Sequence, residues 1–154
     1  MNEYDEKIKR VIHDQGIEAE HLTFNESTHS VEEAAKAVGA DQEDFVKSIC
    51  MVTKDREVIV AIVKGEDRVS TSRVGNVLRI EKPMVASPEE VFELTGFPCG
   101  GTPGFGFEAE FLMDPRVLEK ETVYLGGGSE NSLVKMKSED LRRISGAKVV
   151  RVRR

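Results

Sequence analysis

Residues 44–65 read DFVKSICMVTKDREVIVAIVKG. Two runs rich in β-branched residues flank the polar stretch KDRE, which is the spacing of a β-hairpin. Outward from this hairpin the chain alternates irregularly between helical and extended patterns. Upstream, residues 3–15 carry Tyr4, Ile8, Val11 and Ile12 on one helical face, and Gly16 ends the helix. HLTF follows as a short strand. Ser30 and Glu33 have the spacing of a capping box and open the helix VEEAAKAV, which closes at Gly39. Downstream, residues 67–79 read as a helix and residues 84–86 as a short strand. Ser87, Pro88 and Glu90 make a strong helix start for PEEVFELT. EAEFLMD, TVYLGG and SLVKMK then read as strands, Ser138 as the cap of the helix EDLRRIS, Gly146 as its end, and KVVRVR as a final strand. This order favours a mixed sheet or partly open barrel over a doubly wound parallel fold.

With 154 residues the chain fits one domain that buries a real core. It has no apolar run of membrane-spanning length and its first residues lack a signal-peptide core, so a cytoplasmic protein without a membrane partner is expected. Cys50 and Cys99 suggest no disulfide framework. His13, His21 and His29 have no metal-type spacing to the cysteines, so no metal site and no cofactor are expected. A net charge of −6 argues against an overall electrostatic grip on nucleic acid. The distribution is uneven, with eight basic and two acidic residues between Lys135 and Arg154. That end is either a local phosphate contact or a solvated last helix and strand.

Three features stand out as chemistry. TGFPCGGTPGFGF, residues 95–107, mixes five glycines with Pro98 and Pro103, a composition that neither a helix nor a regular strand tolerates. Gly126, Gly127 and Gly128 follow a strand. Lys47 lies within the first hairpin run among Phe45, Val46, Ile49 and Cys50. Glycine runs bring backbone N–H groups close to a ligand and stabilise negative charge there. Each feature taken alone also reads as a turn, or as a lysine guarding a strand edge. Cys99 lies in the glycine loop, but a nucleophilic thiol needs a base or a lowered pKa, and no histidine is near it in sequence. The loop is no P-loop, because it lacks the Lys-Ser/Thr ending and follows a helix.

DFVKSICMV, VIVAIVKGEDRVS, ASPEEVFELTGFPCGGTPGFG and VYLGGGSENSLVKMKSEDLRRISGAKVV occur in this order. The series resembles the YbaK/prolyl-tRNA synthetase editing-domain family, the freestanding aminoacyl-tRNA deacylases, across residues 1–154. The resemblance implies an α/β single domain: a mixed, mostly antiparallel, barrel-like sheet with flanking helices. It also implies hydrolysis of the ester joining a wrong amino acid to the 3′ end of a mischarged tRNA, with an aminoacyl-tRNA synthetase as a further partner. By the same resemblance the family's essential lysine matches Lys47. Its substrate loop matches Gly96 to Gly106, centred on Gly100, Gly101, Thr102 and Pro103, and its second glycine turn includes Gly127 and Gly128. Pro98 comes one residue earlier than in many members, with Cys99 before Gly100. Lys47 is then expected to anchor the tRNA end, through phosphate or the ester region, and the N–H groups of Gly100 and Gly101 to hold the aminoacyl carbonyl. The base is expected to be the substrate's own 2′-hydroxyl or a water. Two rivals are a catalytically silent tRNA-binding or synthetase-associated module and a cysteine-dependent hydrolase of other small esters.

Overall fold

The computed structural model describes residues 2–25 and 30–154, apart from the side chain of Val31. In chain order, α1 (Glu3–Gln15) leads to β1 (Ala19–Thr23), α2 (Val31–Val38), the hairpin β2 (Val46–Val52) and β3 (Val58–Lys64), α3 (Thr71–Leu78) and β4 (Met84–Val85). Next come α4 (Pro88–Thr95), β5 (Glu110–Met113), β6 (Thr122–Gly126), β7 (Ser132–Lys137), α5 (Ser138–Ser145) and β8 (Lys148–Val149). Short 3-10 turns span Gln42–Asp44, Cys99–Gly101 and Pro115–Glu119.

The hairpin forms as its two runs dictate, with Val46 opposite Lys64 and Val52 opposite Val58. It is the centre of a five-stranded sheet ordered β4-β2-β3-β5-β8. The pairs involving β2 are antiparallel, whereas β3–β5 and β5–β8 are parallel. A second sheet, β1-β7-β6, is antiparallel throughout. Cores on both sides of the five-stranded sheet explain the unbroken apolar run of β3, since a strand covered on both faces needs no polar alternation. Val60 and Ile62 pack with Phe97, Phe105, Val123 and Leu125 on one side. Ile59, Ala61 and Val63 pack with Val74, Leu112 and Val152 on the other.

The domain is therefore mixed α/β and mostly antiparallel, as expected, but its strands form two sheets and do not close into a barrel. The sheets meet at a bridge between Phe45 and Tyr124, whose rings stack at 4.9 Å. The two-residue edges β4 and β8 are too short to carry the ladder further.

The helix starts mostly follow their capping chemistry. Ser87 and Glu90 exchange both bonds of a capping box, and Ser30 and Ser70 accept from the N–H groups of Glu33 and Arg73. The expected helix at 67–79 thus begins only at Thr71, because Ser70 caps it. Ser138 is not a cap: it lies inside α5 and its hydroxyl donates to the Lys120 carbonyl at 2.5 Å. The expected strand KVVRVR shrinks to Lys148–Val149. Beyond it the chain is held by Asp114, which is fully buried and accepts from the N–H groups of Val152 and Arg153 and from the Arg153 guanidinium. His29 lies outside the described residues.

Candidate functional site

β4 covers β2 only at Met51 and Val52, so the outer edge of β2 near Lys47 stays unpaired by a strand. A cleft of about 230 Å³ opens along this edge. Val46, Cys50, Val91 and Leu125 line it with apolar groups, and Lys47, Gly100, Thr102 and Gly126 contribute to its walls. Three of the residues singled out from the sequence, Lys47, Gly100 and Thr102, are thus brought together. Among the described residues, no histidine or carboxylate lines the cleft.

Lys47 stands opposite Val63 in the hairpin register, so it belongs to the sheet face away from the Val46–Ser48–Cys50 side. Burial lowers its pKa, the nearby Arg68 lowers it further, and Asp67 opposes both. Its ammonium forms no ion pair with a described residue. The lysine reaches the cleft at its rim rather than its floor.

The first glycine segment closes the other wall. Its 3-10 turn makes the bond from Gly101 N–H to the Pro98 carbonyl at 3.0 Å. This corrects the expected pairing of donors, because the Gly101 N–H is engaged within the turn. The first N–H groups of a helical turn have no partner inside it, and here those belong to Cys99 and Gly100. Gly101 instead faces the second glycine segment. A Cβ on it would lie 2.5 Å from the Ser129 carbonyl oxygen, and its own carbonyl accepts from the Gly128 N–H at 2.9 Å. Gly128, at φ +115°, lies against the Tyr4 carbonyl of α1. Gly127 and Gly128 are therefore buried behind the cleft rather than lining it. Gly96 caps α4 and Pro103 is buried, and neither lines the cleft.

A second polar group, not anticipated from the sequence, holds this turn. The Ser132 hydroxyl donates to Asp5 Oδ1 at 2.6 Å and accepts from the Ser129 N–H at 3.1 Å. His21 Nε2 lies 2.8 Å from the Gly127 carbonyl and 3.6 Å from Asp5 Oδ1, with both side chains only 4% exposed. A carbonyl only accepts, so Nε2 carries the proton, and the buried Nδ1 has no partner. Serine, histidine and aspartate thus meet without forming a nucleophilic triad. Histidine reaches the carbonyl and the carboxylate instead of the serine, and the serine's hydrogen already belongs to Asp5. The alternation of the hairpin runs could have revealed the cleft floor, but no local signal links Asp5 to Ser132.

The two thiols differ. Burial, then the neighbouring Cys99, push the Cys50 thiol up to about 12. Cys99 is exposed at the mouth. Among the described residues, no three His, Cys, Asp or Glu are grouped to hold a metal ion, and no helix is long and apolar enough to cross a membrane.

Comparison with known proteins agrees with this architecture. The uncharacterized protein YwhH of Bacillus subtilis (strain 168) is 28% identical over 128 residues, covering 82% of this chain and 81% of that protein. A proline--tRNA ligase of Bacillus licheniformis is 35% identical over 107 residues, which are 66% of this chain but only 18% of the ligase. A solved structure described as a candidate trans-editing enzyme for prolyl tRNA synthetase superposes with a TM-score of 0.91 at 26% identity, covering 100% of this chain and 99% of that one. The aminoacyl-tRNA editing domain family matches residues 25–144, from the segment before α2 to the end of α5. The chain belongs to the aminoacyl-tRNA editing domain family.

Proposed function

We propose that this protein is an aminoacyl-tRNA deacylase that hydrolyses mischarged tRNA in trans, in the cytoplasm alongside an aminoacyl-tRNA synthetase. One observation carries the reading: a small cleft lined by apolar groups gathers Lys47 with Cys99 and Gly100, the first residues of a 3-10 turn. The aminoacyl side chain enters between Val46, Cys50, Val91 and Leu125. The N–H groups of Cys99 and Gly100 meet the ester carbonyl and stabilise the oxyanion as water adds to the acyl carbon. Lys47 binds the phosphate of the terminal nucleotide. The ribose oxygen leaves with a proton, relayed by its neighbouring 2′-hydroxyl or by water, since among the described residues no lining side chain is a base of suitable strength. No metal or other cofactor enters the scheme.

An ester is already activated, so positioning and two backbone donors meet the chemical need, at roughly 2.7–4 kcal/mol per donor. Hydrolysis after charging is needed because a synthetase pocket separates side chains differing by one methylene by only about 1–3 kcal/mol. Residues 1–154 act as one editing unit. The contacts of Tyr4, Asp5 and His21 with the second glycine turn support including α1 and β1, which precede the family match. Gly101, Gly127 and Gly128 shape the site, Thr102 touches substrate at the wall, and Gly96 and Pro103 set the path of the loop.

The test is a panel of mischarged tRNAs with purified protein. Release of the amino acid from at least one of them, lost in Lys47→Ala, is the expected result. Binding without hydrolysis across the whole panel would identify a silent RNA-binding module instead.

A further inference from the structure

The basic end of the chain has no role in the cleft, yet its placement is specific. The C-terminal segment returns to the turn after β3 and pairs with it through a bridge between Val69 and Arg153. Bonds from Ser70 N–H to the Val152 carbonyl at 2.7 Å and from Arg154 N–H to the Arg68 carbonyl at 2.8 Å flank that bridge. In this antiparallel register Arg68 and Arg154 stand directly opposite each other. Like charges in that position destabilise a ladder. Here they are kept, both exposed, and neither forms an ion pair with a described residue.

Asp114 makes the arrangement rigid by holding Val152 and Arg153 from below. It also engages the guanidinium of Arg153, which separates that residue from its neighbours in task. Lys47 lies next to this turn, because it stands opposite Val63 near the end of β3 and the Gly65 N–H reaches the Phe45 carbonyl, and Arg68 is close enough to lower its pKa. Two carboxylates lie in the same turn, and each has a partner: Asp67 pairs with Arg116 at 2.6 Å and Glu66 with Lys64 at 2.9 Å. Three cations thus run from the cleft rim to the chain end on a protein whose net charge is −6. Arg68 and Arg154, exposed side by side and without an ion pair to a described residue, suit the phosphates of an extended single strand.

We propose that Arg68 and Arg154 form a phosphate-binding track that continues from Lys47 and holds the backbone of the single-stranded 3′ end of tRNA. The inference rests on the deacylase reading for the identity of the RNA, but its own measurement is binding, not hydrolysis. The neutral cleft selects the amino acid, and the track supplies affinity that does not depend on sequence.

The experiment uses the full chain and an unacylated tRNA transcript, with binding followed by fluorescence anisotropy across a salt series. Each phosphate contact on a single strand contributes about 0.7 to the slope of log K against log salt. Arg68→Gln and Arg154→Gln should each reduce the slope by about that amount, and the double variant by about 1.4. Arg68→Lys should restore the slope, because a point charge suffices for a phosphate. Lys54→Gln, whose lysine pairs with Glu81 elsewhere on the surface, should match the parent. Trimming the three terminal nucleotides from the transcript should weaken parental binding and erase the difference between parent and double variant. A folded double variant with the parental slope would overturn the track. So would a slope deficit that survives trimming, since the arginines would then contact another part of the tRNA. If the parent hydrolyses no mischarged tRNA while the double variant still loses slope, the track stands and the deacylase reading falls.

Discussion

Residues 96–106 contain five glycines and residues 126–128 three in succession, and composition alone treats the two segments alike. Their surroundings make them different devices. The first segment lines the cleft with Cys99 and Gly100, whereas in the second Gly126 reaches the wall and Gly127 and Gly128 are buried, Gly128 against α1. The link between them is a single backbone bond, Gly128 N–H to the Gly101 carbonyl, reinforced by a contact that leaves no room for a Cβ on Gly101. In the proposed mechanism the first segment acts through groups every residue possesses. The second lets the first hold its shape.

The largest expected effect comes from breaking that link. Gly101→Val places a side chain where the Ser129 carbonyl already lies at 2.5 Å from the Cβ position. Overpacking of this kind costs about 3 kcal/mol or more. At roughly 2–4 °C per kcal/mol for a chain of this size, the melting temperature should fall by about 10 °C. The substitution therefore does not test an oxyanion donor, and a Gly101→Val protein melting with the parent would show that the segments are not wedged together.

Two substitutions probe the chemistry with the scaffold left in place. Lys47→Ala should lower deacylation at least about a hundredfold while changing stability by about 1 kcal/mol or less, the span of strand propensities, since half-buried Lys47 has no ion pair with a described residue to lose. Cys99→Pro removes the backbone N–H together with the thiol, and Cys99→Ser serves as the control that loses the thiol alone. Proline suits the first position of a helical turn, and Pro98 already has the extended geometry, φ −65° and ψ 148°, that a following proline demands. Its rate should fall about 10²–10³-fold, the scale of one oxyanion donor. A Cys99→Pro enzyme that melts and deacylates like the parent would remove this N–H from the mechanism and make the two glycine segments equal again.

A smaller effect is expected behind the cleft. Ser132→Ala leaves the buried Asp5 oxygen without its 2.6 Å donor and Ser129 N–H without its acceptor. Unsatisfied buried groups cost about 1–3 kcal/mol, so thermal melting should show a modest loss. The rate per folded molecule should drop by less than about tenfold, since the bond from Gly128 to Gly101 survives. A loss as large as that of Cys99→Pro, with melting unchanged, would move Ser132 from support to chemistry.

Much of this was legible in the sequence wherever a local rule decided the outcome. The hairpin, the Ser87 capping box and the glycine ends of α1, α2, α4 and α5 each follow from residues within a few positions of one another. The departures share a cause in long-range contact. Ser138 has the right residue type for a cap, but the Lys120 carbonyl takes its hydroxyl. Asp114 looks like turn chemistry beside Pro115, yet it receives the N–H groups that KVVRVR would otherwise have offered a sheet. Motif order singled out Lys47, Gly100 and Thr102, and the fold gathers them at one cleft. That the Gly101 N–H is spent within the turn was not legible, because it depends on where a three-residue turn begins.

The smallest expected effect separates backbone from side chain at a single position. Cys99→Ser keeps the N–H and the turn while exchanging the exposed thiol for a much weaker nucleophile. If the thiol attacked the ester, the rate would collapse; if only the N–H matters, it should stay within about twofold, as a thiol with no activating base implies. Cys50 cannot take over the role, because its thiol is pushed up to about 12 and remains protonated at neutral pH. Iodoacetamide at neutral pH should accordingly label Cys99 and spare Cys50, as peptide mass analysis would read. Alkylation of the parent should still slow the reaction by crowding the mouth of the cleft. The alkylated Cys99→Ser protein should not slow, since nothing reactive is left there. Inhibition of parent and variant alike would place the sensitive thiol at Cys50, on the floor, and the cleft would then have to open further than its resting shape allows.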